Sequence, residues 1–332
     1  MGCIKVGVIG LGRMGKHHCR VYASQREARF MGVYDINPKA ADELSKTYDV
    51  PAFQSIDDLL EQVDAVTIAT PTPTHFDLVM RCLEHNVHVL VEKPITESIE
   101  NAEQLARMVN GNGLVVQVGH IERFNPTYQE LKKIMESFKV LAINFRRLSP
   151  YRVSNKDVDV VLDLMIHDLD LSIDLMGREP SSIGAYGLMP FSSSLDHVVA
   201  QLYYSKGPLI TLTASRVTEE KIRSVDVTTE EAFVEADFLN KSIFIHRGSS
   251  GEYSAPNRTG VKYHQESIIE RILVPNVEPL GMEIKQFLEC ISQKCAPSVS
   301  VDDGLKALRL AERIRGLVIE QNLQFAAQPE FV

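Results

Sequence analysis

The sequence predicts an α/β protein in which a doubly wound parallel sheet is followed by an α+β domain with a large, open, mainly antiparallel sheet. Two observations support this prediction. Up to about residue 120, short runs rich in Val and Ile alternate with amphipathic segments, as in parallel sheets whose two faces are covered by helices. After residue 120, several strand-like runs follow one another without long helices between them, which is typical of antiparallel pairing.

The N-terminal domain is predicted over residues 1–121 from alternating strands and helices. The strands are the brief apolar runs CIKVGVIG, ARFMGVYD, DAVTIAT, VHVLVEK and GLVVQVG. The helices are expected near residues 13–24, 38–48, 74–85 and 98–110. Ser98 is a favourable N-cap for the last helix, because its hydroxyl can accept a hydrogen bond from a free backbone N–H of the first turn.

The C-terminal domain is predicted over residues 122–332 from a less regular pattern. A helix near 125–137 precedes the strand-like run KVLAINFRRL, and a second helix, DLMIHDLDLSIDLMG, ends at Gly177. The open sheet is predicted from the runs HVVAQLYY, LITLTASRV, SVDVTTEEAFVEADF and KSIFIHR. Helices near 279–294 and 302–321 close the chain. Whether the last helix packs back onto the N-terminal domain stays open.

Composition limits the partners and the compartment. The net charge of −9 argues against a nucleic-acid-binding surface, which needs a basic patch, but it leaves open a local basic pocket for an anionic small molecule. The five cysteines show no metal-ligand spacing and favour reduced thiols over a disulfide framework. No signal-peptide pattern opens the chain, and no apolar stretch approaches the ~20 residues of a membrane span. We therefore expect a soluble, cytoplasmic protein with neither nucleic-acid nor membrane partners.

A glycine motif at the start of the chain predicts a dinucleotide site. Gly10, Gly12 and Gly15 directly follow the first predicted strand and open the first predicted helix, which is the context that a GxGxxG motif requires. The helix N-terminus then favours the phosphates. Asp35 lies twenty residues after Gly15, where an acidic side chain accepts hydrogen bonds from ribose hydroxyls and repels a 2′-phosphate. No Arg follows Asp35, so the sequence favours NAD over NADP.

A charged pair ends the strand run VHVLVEK. Glu92 and Lys93 stand at its carboxyl end, where doubly wound sheets bind ligands, and Pro94 follows them. One hypothesis is that the Lys93 ammonium lies beside a reacting oxygen and stabilises negative charge as it develops there. The alternative is an ion pair with a purely structural role at the end of the strand.

A second charged pair interrupts an apolar helix. Asp163 and His167 are four residues apart and therefore lie on one face of a helix. Asp163 can then hold His167 in one tautomer, and a histidine so held suits general-base chemistry near neutral pH. Two alternatives stay open: a structural Asp–His pair, and a metal site, although no further His or Cys cluster supports the metal. Asp168, Asp170 and Asp174 are interpreted as capping or solvent-facing residues.

These features, in this order, resemble the glucose–fructose oxidoreductase, inositol dehydrogenase and MocA family over the whole chain. The resemblance rests on the glycine turn with Asp35, the run IATPTPTH at 68–75, the EKP at 92–94 and the later DxxxH. It implies a catalytic group of Lys93, Asp163 and His167, and no metal. It also implies cofactor contacts from Gly10, Gly12, Arg13, Met14, Gly15, Asp35, Ala69, Thr70, Pro71, His75, Glu92 and Lys93. One departure is Asp159, which stands where many members have Gly.

The run VGHIERFNP, 118–126, resembles the members of this family that oxidise UDP-N-acetylglucosamine to its 3-keto form. Arg123 is carried over in position and is interpreted either as a substrate or phosphate contact or as a salt bridge between the domains. Tyr151 and Arg152 are weaker candidates for the substrate. The resemblance thus implies substrate contacts from Lys93, Arg123, Tyr151, Arg152, Asp163 and His167.

The predicted function is NAD-dependent transfer of hydride from a secondary hydroxyl of a sugar to the nicotinamide, and the resemblance favours UDP-N-acetylglucosamine, oxidised to its 3-keto form, as the substrate. Two alternatives stay open: a dehydrogenase of a free polyol or sugar such as inositol, and a non-catalytic NAD-binding regulator of the same fold. The open sheet of the second domain offers a face for self-association, so we also expect a homodimer or homotetramer.

Overall fold

The computed structural model describes residues 3–151, 158–191, 193–254 and 261–326. The chain forms two compact units, of which the first comprises Met1–Phe124 and Val277–Leu310 and the second comprises Asn125–Asn276 and Ala311–Val332. The sequence places the boundary at residues 121–122 and assigns residues 277–310 to the C-terminal domain. In the structure, this later segment belongs to the first unit.

The strands and helices are numbered along the chain. The strands are β1 Ile4–Ile9, β2 Ala28–Tyr34, β3 Ala65–Ile68, β4 His88–Glu92, β5 Val116–Gly119, β6 Val140–Leu148, β7 Ser182–Leu188, β8 His197–Tyr203, β9 Leu209–Ser215, β10 Ile222–Thr229, β11 Phe233–Asp237, β12 Ser242–Ser254 and β13 Val261–Leu273. The α-helices are α1 Arg13–Ser24, α2 Pro38–Tyr48, α3 Ile56–Leu60, α4 His75–Glu84, α5 Ile99–Val109, α6 Pro126–Met135, α7 Ile166–Met176, α8 Pro279–Gln293 and α9 Val301–Ala326.

The first unit is built on a parallel sheet in the order β2-β1-β3-β4-β5, which confirms the predicted doubly wound architecture. The chain leaves β1 toward β2 on one side and β3 on the other, so the carboxyl ends of β1 and β3 flank the point where the strand order reverses. Open α/β sheets bind their ligands in the crevice at such a point. The predicted helices of this unit are also confirmed, and only the short α3 was not predicted.

Helix α8 completes the core of the first unit, which explains why residues 277–310 belong to it. Leu280, Ile284 and Phe287 are buried in the same apolar cluster as Val6 and Val8 of β1. Burial of three large apolar side chains contributes several kcal/mol, at roughly 1.5–3 kcal/mol each. The returning helix is therefore an integral part of the first unit.

The second unit contains an eight-stranded sheet in the order β13-β12-β11-β10-β6-β9-β8-β7. Neighbouring strands are antiparallel except for β6 and β9, which confirms a large, mainly antiparallel sheet. The run SVDVTTEEAFVEADF forms two strands rather than one, because the chain turns back where Thr229 N donates to Ala232 O. Among the helices of the described residues, none combines the length and the apolar character needed to cross a membrane.

The predicted helix from Asp163 to Gly177 has two parts. It begins with a π-helical turn, Val161–Met165, and continues as α7. Gly177 ends α7 in the left-handed conformation, with φ 62°, as the C-cap prediction requires. A π-helical turn inserts an extra residue into a helix and is frequent at functional sites.

Candidate functional site

The turn after β1 packs tightly against the turn after β3. Gly10 has φ +88°, and a Cβ added there would lie 2.6 Å from Thr70 Cγ2 and 2.8 Å from the Ala69 carbonyl carbon. A Cβ on Gly15 would lie 1.9 Å from Gly10 O, so the first turn of α1 also needs a glycine. These two positions tolerate no side chain, because the backbone itself fills the space.

The N-terminus of α1, by contrast, is open. Gly12 is its N-cap, no side chain caps the helix there, and a Cβ on Gly12 would meet nothing within 4 Å. Arg13 and Met14 are the first two residues of the helix, and Arg13 is exposed. Uncapped N–H groups and the positive end of the helix dipole favour an anion at this position. A pyrophosphate fits this arrangement.

Asp35 follows β2 and is fixed by backbone N–H groups. Leu11 N donates to Asp35 Oδ2 at 2.6 Å, and Asn37 N donates to Oδ1 at 2.8 Å. Each carboxylate oxygen keeps a lone pair with which to accept a ribose hydroxyl. The next residue, Ile36, is 91% exposed, so its side chain offers an apolar surface on which a flat aromatic ring can lie. Sequence analysis missed Ile36; an apolar residue directly after the acidic one was the available signal.

His75 ties two strand ends together. Its side chain is 1% exposed, with Nδ1 2.8 Å from Pro94 O and Nε2 2.9 Å from Thr70 O. Thr70 belongs to the turn after β3, and Pro94 follows Lys93 at the end of β4. The half-buried Lys93 therefore lies next to a turn that His75 holds in place. Pro71, beside Thr70, is exposed.

Glu92, the last residue of β4, is directed at the buried His18 of α1. His18 Nε2 lies 3.0 Å from Glu92 Oε1, and the Glu92 side chain is 12% exposed. Burial raises the pKa of Glu92, but the hydrogen bond from His18 and the positive charges of His18 and Lys93 outweigh it, so the pKa is lowered. Sequence analysis missed His18, which carries no motif and is distinguished only as a polar residue on the buried face of α1.

Glu283 of α8 interacts electrostatically with Glu92, and its pKa is shifted in the opposite direction. It is fully buried, and neither carboxyl oxygen has a hydrogen-bond partner among the described residues. Burial raises the pKa of Glu283 well above its ordinary value, and the negative charge of Glu92 raises it further. The fold thus separates the pKa values of two interacting carboxyl groups. Nothing in the sequence links residue 283 to residue 92, so pattern analysis had no means of pairing them.

Asp163 and His167 lie on neighbouring turns of the second unit. Asp163 is in the π-helical turn, and His167 is the second residue of α7. Both side chains are half-buried, whereas Leu164, Met165 and Ile166 between them are buried. The pair is therefore placed on the accessible side of an otherwise buried segment, where it can meet a ligand. Lys93 belongs to the first unit.

The interpretation of Asp168 and Asp170 as capping or solvent-facing residues was wrong, because both are buried. Asp168 pairs with Arg147 of β6, with Nη2 2.6 Å from Oδ1 and Nε 3.0 Å from both carboxylate oxygens. Asp174 is partly buried and accepts hydrogen bonds from Tyr128 and Lys132. These carboxylates fix α7 to β6 and α6, because buried charges require charged or hydrogen-bonding partners.

The remaining predicted substrate residues have different surroundings. Arg123 is nearly buried, and its Nη2 lies 3.8 Å from Oδ1 of Asp303, in the first turn of α9 and in the same unit. Tyr151 is half-buried, and its ring centroid lies 5.2 Å from that of Phe191. Arg152 lies outside the described residues. Within the described part of the chain, no cluster of three or more His, Cys, Asp or Glu side chains could hold a metal ion.

Comparison with known proteins gives consistent results for both halves of the chain. Residues 4–120 match the family model "Oxidoreductase family, NAD-binding Rossmann fold", and residues 143–235 match the "GFO/IDH/MocA C-terminal domain". UDP-N-acetylglucosamine 3-dehydrogenase of Acidithiobacillus ferrooxidans is 33% identical and covers 97% of this chain and 99% of its own length. A crystal form of that enzyme, GnnA, aligns with a TM-score of 0.86 over 96% of this chain and 98% of that one. Inositol 2-dehydrogenase of Rhizobium meliloti is 26% identical, with 97% and 99% coverage.

Proposed function

Because the chain belongs to the GFO/IDH/MocA family of NAD-binding oxidoreductases, we propose that it oxidises a secondary hydroxyl of a nucleotide sugar, UDP-N-acetylglucosamine, to the 3-keto sugar. The choice of this substrate rests on the 33% identity to a UDP-N-acetylglucosamine 3-dehydrogenase over nearly the whole of both chains. The reaction moves a hydride from the sugar carbon to the cofactor and a proton from the sugar oxygen to the protein. Bound NAD supplies the hydride acceptor.

His167 is the proposed general base. Its ring is only half-buried, and Asp163 lies four residues before it, about one helical turn away. A carboxylate beside an imidazole selects the tautomer and stabilises the imidazolium that forms when the ring accepts a proton. His167 then removes the proton of the sugar hydroxyl as the carbon–hydrogen bond breaks.

Lys93 is the proposed electrostatic stabiliser. Its ammonium would stand beside the sugar oxygen and stabilise the negative charge that develops on it as the proton leaves. A group of this kind is effective when it is already fixed before the reaction. The hydrogen bond between His75 and Pro94 O supports this role, because it fixes the turn that carries Lys93.

The cofactor is proposed to lie along the carboxyl ends of β1, β2 and β3. The open N-terminus of α1 at Gly12 suits the pyrophosphate, with Arg13 and Met14 at its side. Asp35 would bind the ribose hydroxyls of the adenosine half, and Ile36 would cover the adenine ring. The turn Ala69–Pro71 would form the wall on the nicotinamide side. Glu92, whose Oε1 lies 3.0 Å from His18 Nε2, is proposed as a further cofactor contact at the end of β4.

For the nucleotide sugar, Arg123 and Tyr151 are the proposed contacts among the described residues. The ion pair of Arg123 with Asp303 leaves the guanidinium fixed, and a fixed guanidinium is well suited to bind a phosphate. Arg152 completes the set proposed from the sequence.

We expect His167→Ala to lower turnover by about 10²–10⁴-fold, the usual contribution of a positioned base, while NAD binding stays intact. The assay follows NADH absorbance with UDP-N-acetylglucosamine and identifies the 3-keto product. His197→Ala, a half-buried histidine of β8, is the matched control and should retain full turnover. Equal activity of wild type and His167→Ala would contradict the role of the base.

The substrate itself is tested in the same assay. A free polyol such as inositol, on which the Rhizobium meliloti relative acts according to its name, is the second candidate. If inositol is oxidised and the nucleotide sugar neither binds nor reacts, the free polyol replaces the nucleotide sugar as the proposed substrate. If both bind without turnover while NAD binds, the chain is a non-catalytic regulator.

The chain is also proposed to form a homodimer or homotetramer through the sheet of the second unit. Four exposed apolar side chains share one face of three adjacent strands: Tyr186, Leu188, Tyr203 and Leu209. Tyr186 is 65% exposed and Leu188 is 62% exposed. Exposed apolar surface of this kind marks interaction sites in soluble proteins. A second copy of the same chain is the partner that an isologous contact between two such faces requires.

A further inference from the structure

Asp159 holds the start of the π-helical turn. Its side chain is nearly buried, and Oδ1 accepts hydrogen bonds from Val161 N at 2.9 Å and from Leu162 N at 3.0 Å. Its own carbonyl oxygen accepts a hydrogen bond from Asp163 N at 3.0 Å. Asp159 thus contacts the turn through both its side chain and its backbone, and one of the bonded residues is the carboxylate that precedes His167.

Arg315 of α9 fixes Asp159 from the other side. Arg315 Nε lies 2.6 Å from Asp159 Oδ2, and Arg315 Nη1 lies 2.7 Å and 2.8 Å from the two carboxylate oxygens of Glu312. Burial lowers the pKa of Arg315, but the carboxylates of Asp159 and Glu312 outweigh it and raise the pKa. The guanidinium is therefore an anchored cation, and all of these residues lie in the second unit.

The π-helical turn needs such an anchor. An extra residue in a helical turn weakens the regular hydrogen-bond pattern, so the turn depends on groups outside it to keep one conformation. Val160 N also donates to Leu195 O at 2.9 Å, which fixes the residue before the turn. A glycine at position 159 could make neither the Oδ1 contacts nor the ion pair, so the anchor depends on the Asp159 side chain.

We propose that the Asp159–Arg315 ion pair positions Asp163 and His167 for proton transfer. The proposal rests on the function given above for His167. Neither Asp159 nor Arg315 is assigned a contact with substrate or cofactor, so both are positioning residues. They affect the reaction by fixing the conformation of the π-helical turn and thereby the positions of Asp163 and His167. Displacement of a reacting group by about 1 Å can lower the rate by up to roughly 10²-fold.

The test uses the full chain with two single variants, the double variant that combines them, and one conservative variant. Arg315→Gln removes the ion pair, and Asp159→Asn keeps the Oδ1 acceptor but removes the negative charge. Each is expected to lower kcat by about tenfold without changing the KM for NAD, because the cofactor elements belong to the first unit. The double variant should be no slower than either single variant, since the two changes remove one shared interaction. Arg315→Lys, which keeps the charge, should recover part of the rate.

Arg247→Gln is the matched control. Arg247 also pairs with a carboxylate in the second unit, Glu270 at 2.8 Å, but on the sheet and away from the π-helical turn. Its kcat should equal that of the wild type. A role limited to stability would lower the melting temperature of Arg315→Gln and leave kcat per folded enzyme unchanged, and this result would overturn the proposal. Additive losses in the double variant would overturn it too.

A spectroscopic measurement separates this proposal from the proposed function. In protein with ¹³C-labelled histidine, the His167 ring resonance is assigned by its loss in His167→Gln. We expect this resonance to shift in Arg315→Gln and Asp159→Asn and to stay in place in Arg247→Gln. If it shifts while the wild type oxidises no sugar, the positioning holds and the proposed function fails. An unmoved resonance together with an unchanged kcat would refute the positioning alone.

Discussion

At the scale of single residues, the buried carboxyl groups of Glu92 and Glu283 show how position alone sets ionisation. The two side chains have the same chemistry and interact with each other. Glu92 shares a hydrogen bond with His18 and lies beside Lys93, and its pKa is lowered despite burial. Neither carboxyl oxygen of Glu283 has a hydrogen-bond partner among the described residues, and burial raises the pKa of this group. A charge that is paired stays ionised, whereas an unpaired buried acid favours the neutral form.

This difference predicts that Glu283→Gln stabilises the protein in a pH-dependent way. The folded state holds the Glu283 proton more tightly than the unfolded state, so the wild type loses free energy of unfolding as the pH rises above about 4.5, the ordinary pKa of the group, until the raised pKa is passed. Glutamine stays neutral and escapes this loss. The melting temperature of Glu283→Gln should therefore exceed that of the wild type by an amount that grows with pH over this range.

Thermal unfolding monitored from pH 4.5 to pH 8 measures the effect, and Glu289→Gln is the control. Glu289 lies on the same helix, half-exposed and 3.8 Å from Lys285. Exposed ion pairs contribute about 0–1 kcal/mol, so its melting curve should follow the wild type at every pH. A difference for Glu283→Gln that is constant across the pH range would show that the carboxyl group does not titrate as described.

At the scale of elements, His75 couples the turn after β3 to the turn after β4. We expect His75→Ala to weaken NAD binding by roughly tenfold and to lower kcat as well, because loss of a buried hydrogen-bonded group costs about 1–3 kcal/mol and 1.4 kcal/mol is a tenfold change. Calorimetric titration with NAD gives the affinity, and the NADH assay gives kcat. His85→Ala, at the opposite end of α4, should change neither quantity. Unaltered NAD affinity in His75→Ala would show that the two turns hold their positions without the ring.

Most elements, but not their local irregularities, could be predicted from the sequence. The glycine turn and the strands of the parallel sheet were predictable, because strands buried on both faces are continuous apolar runs and Gly10 and Gly15 occupy positions with no room for a side chain. The π-helical turn at Val161–Met165 was not predictable. The spacing of apolar residues indicates a helix, but it does not reveal that one turn contains an extra residue. The anchor of that turn, Arg315, is more than 150 residues away in sequence.

At the scale of the whole molecule, the main feature that the sequence could not provide is the return of residues 277–310 to the first unit. The apolar face of α8 predicts a helix with a buried side, but amphipathic patterns do not specify which core that side joins. In the structure, α8 brings Phe287 into the core of the parallel sheet and Glu283 into the neighbourhood of Glu92. Part of the surroundings of the proposed Lys93 site therefore derives from the C-terminal third of the chain.

The last prediction concerns assembly. Leu188→Asp places a charge in the exposed apolar face of β7, and burying that charge between two copies would cost several kcal/mol. We expect light scattering to give the mass of a single chain for this variant and a multiple of that mass for the wild type. Leu273→Asp makes the same chemical change on β13, at the opposite edge of the sheet, where Leu273 is also exposed, and the assembly should survive it. If Leu273→Asp dissociates the assembly and Leu188→Asp does not, the contact lies at the β13 edge. If the wild type has the mass of a single chain, the apolar face of β7, β8 and β9 does not bind a second copy, and the proposed assembly is wrong.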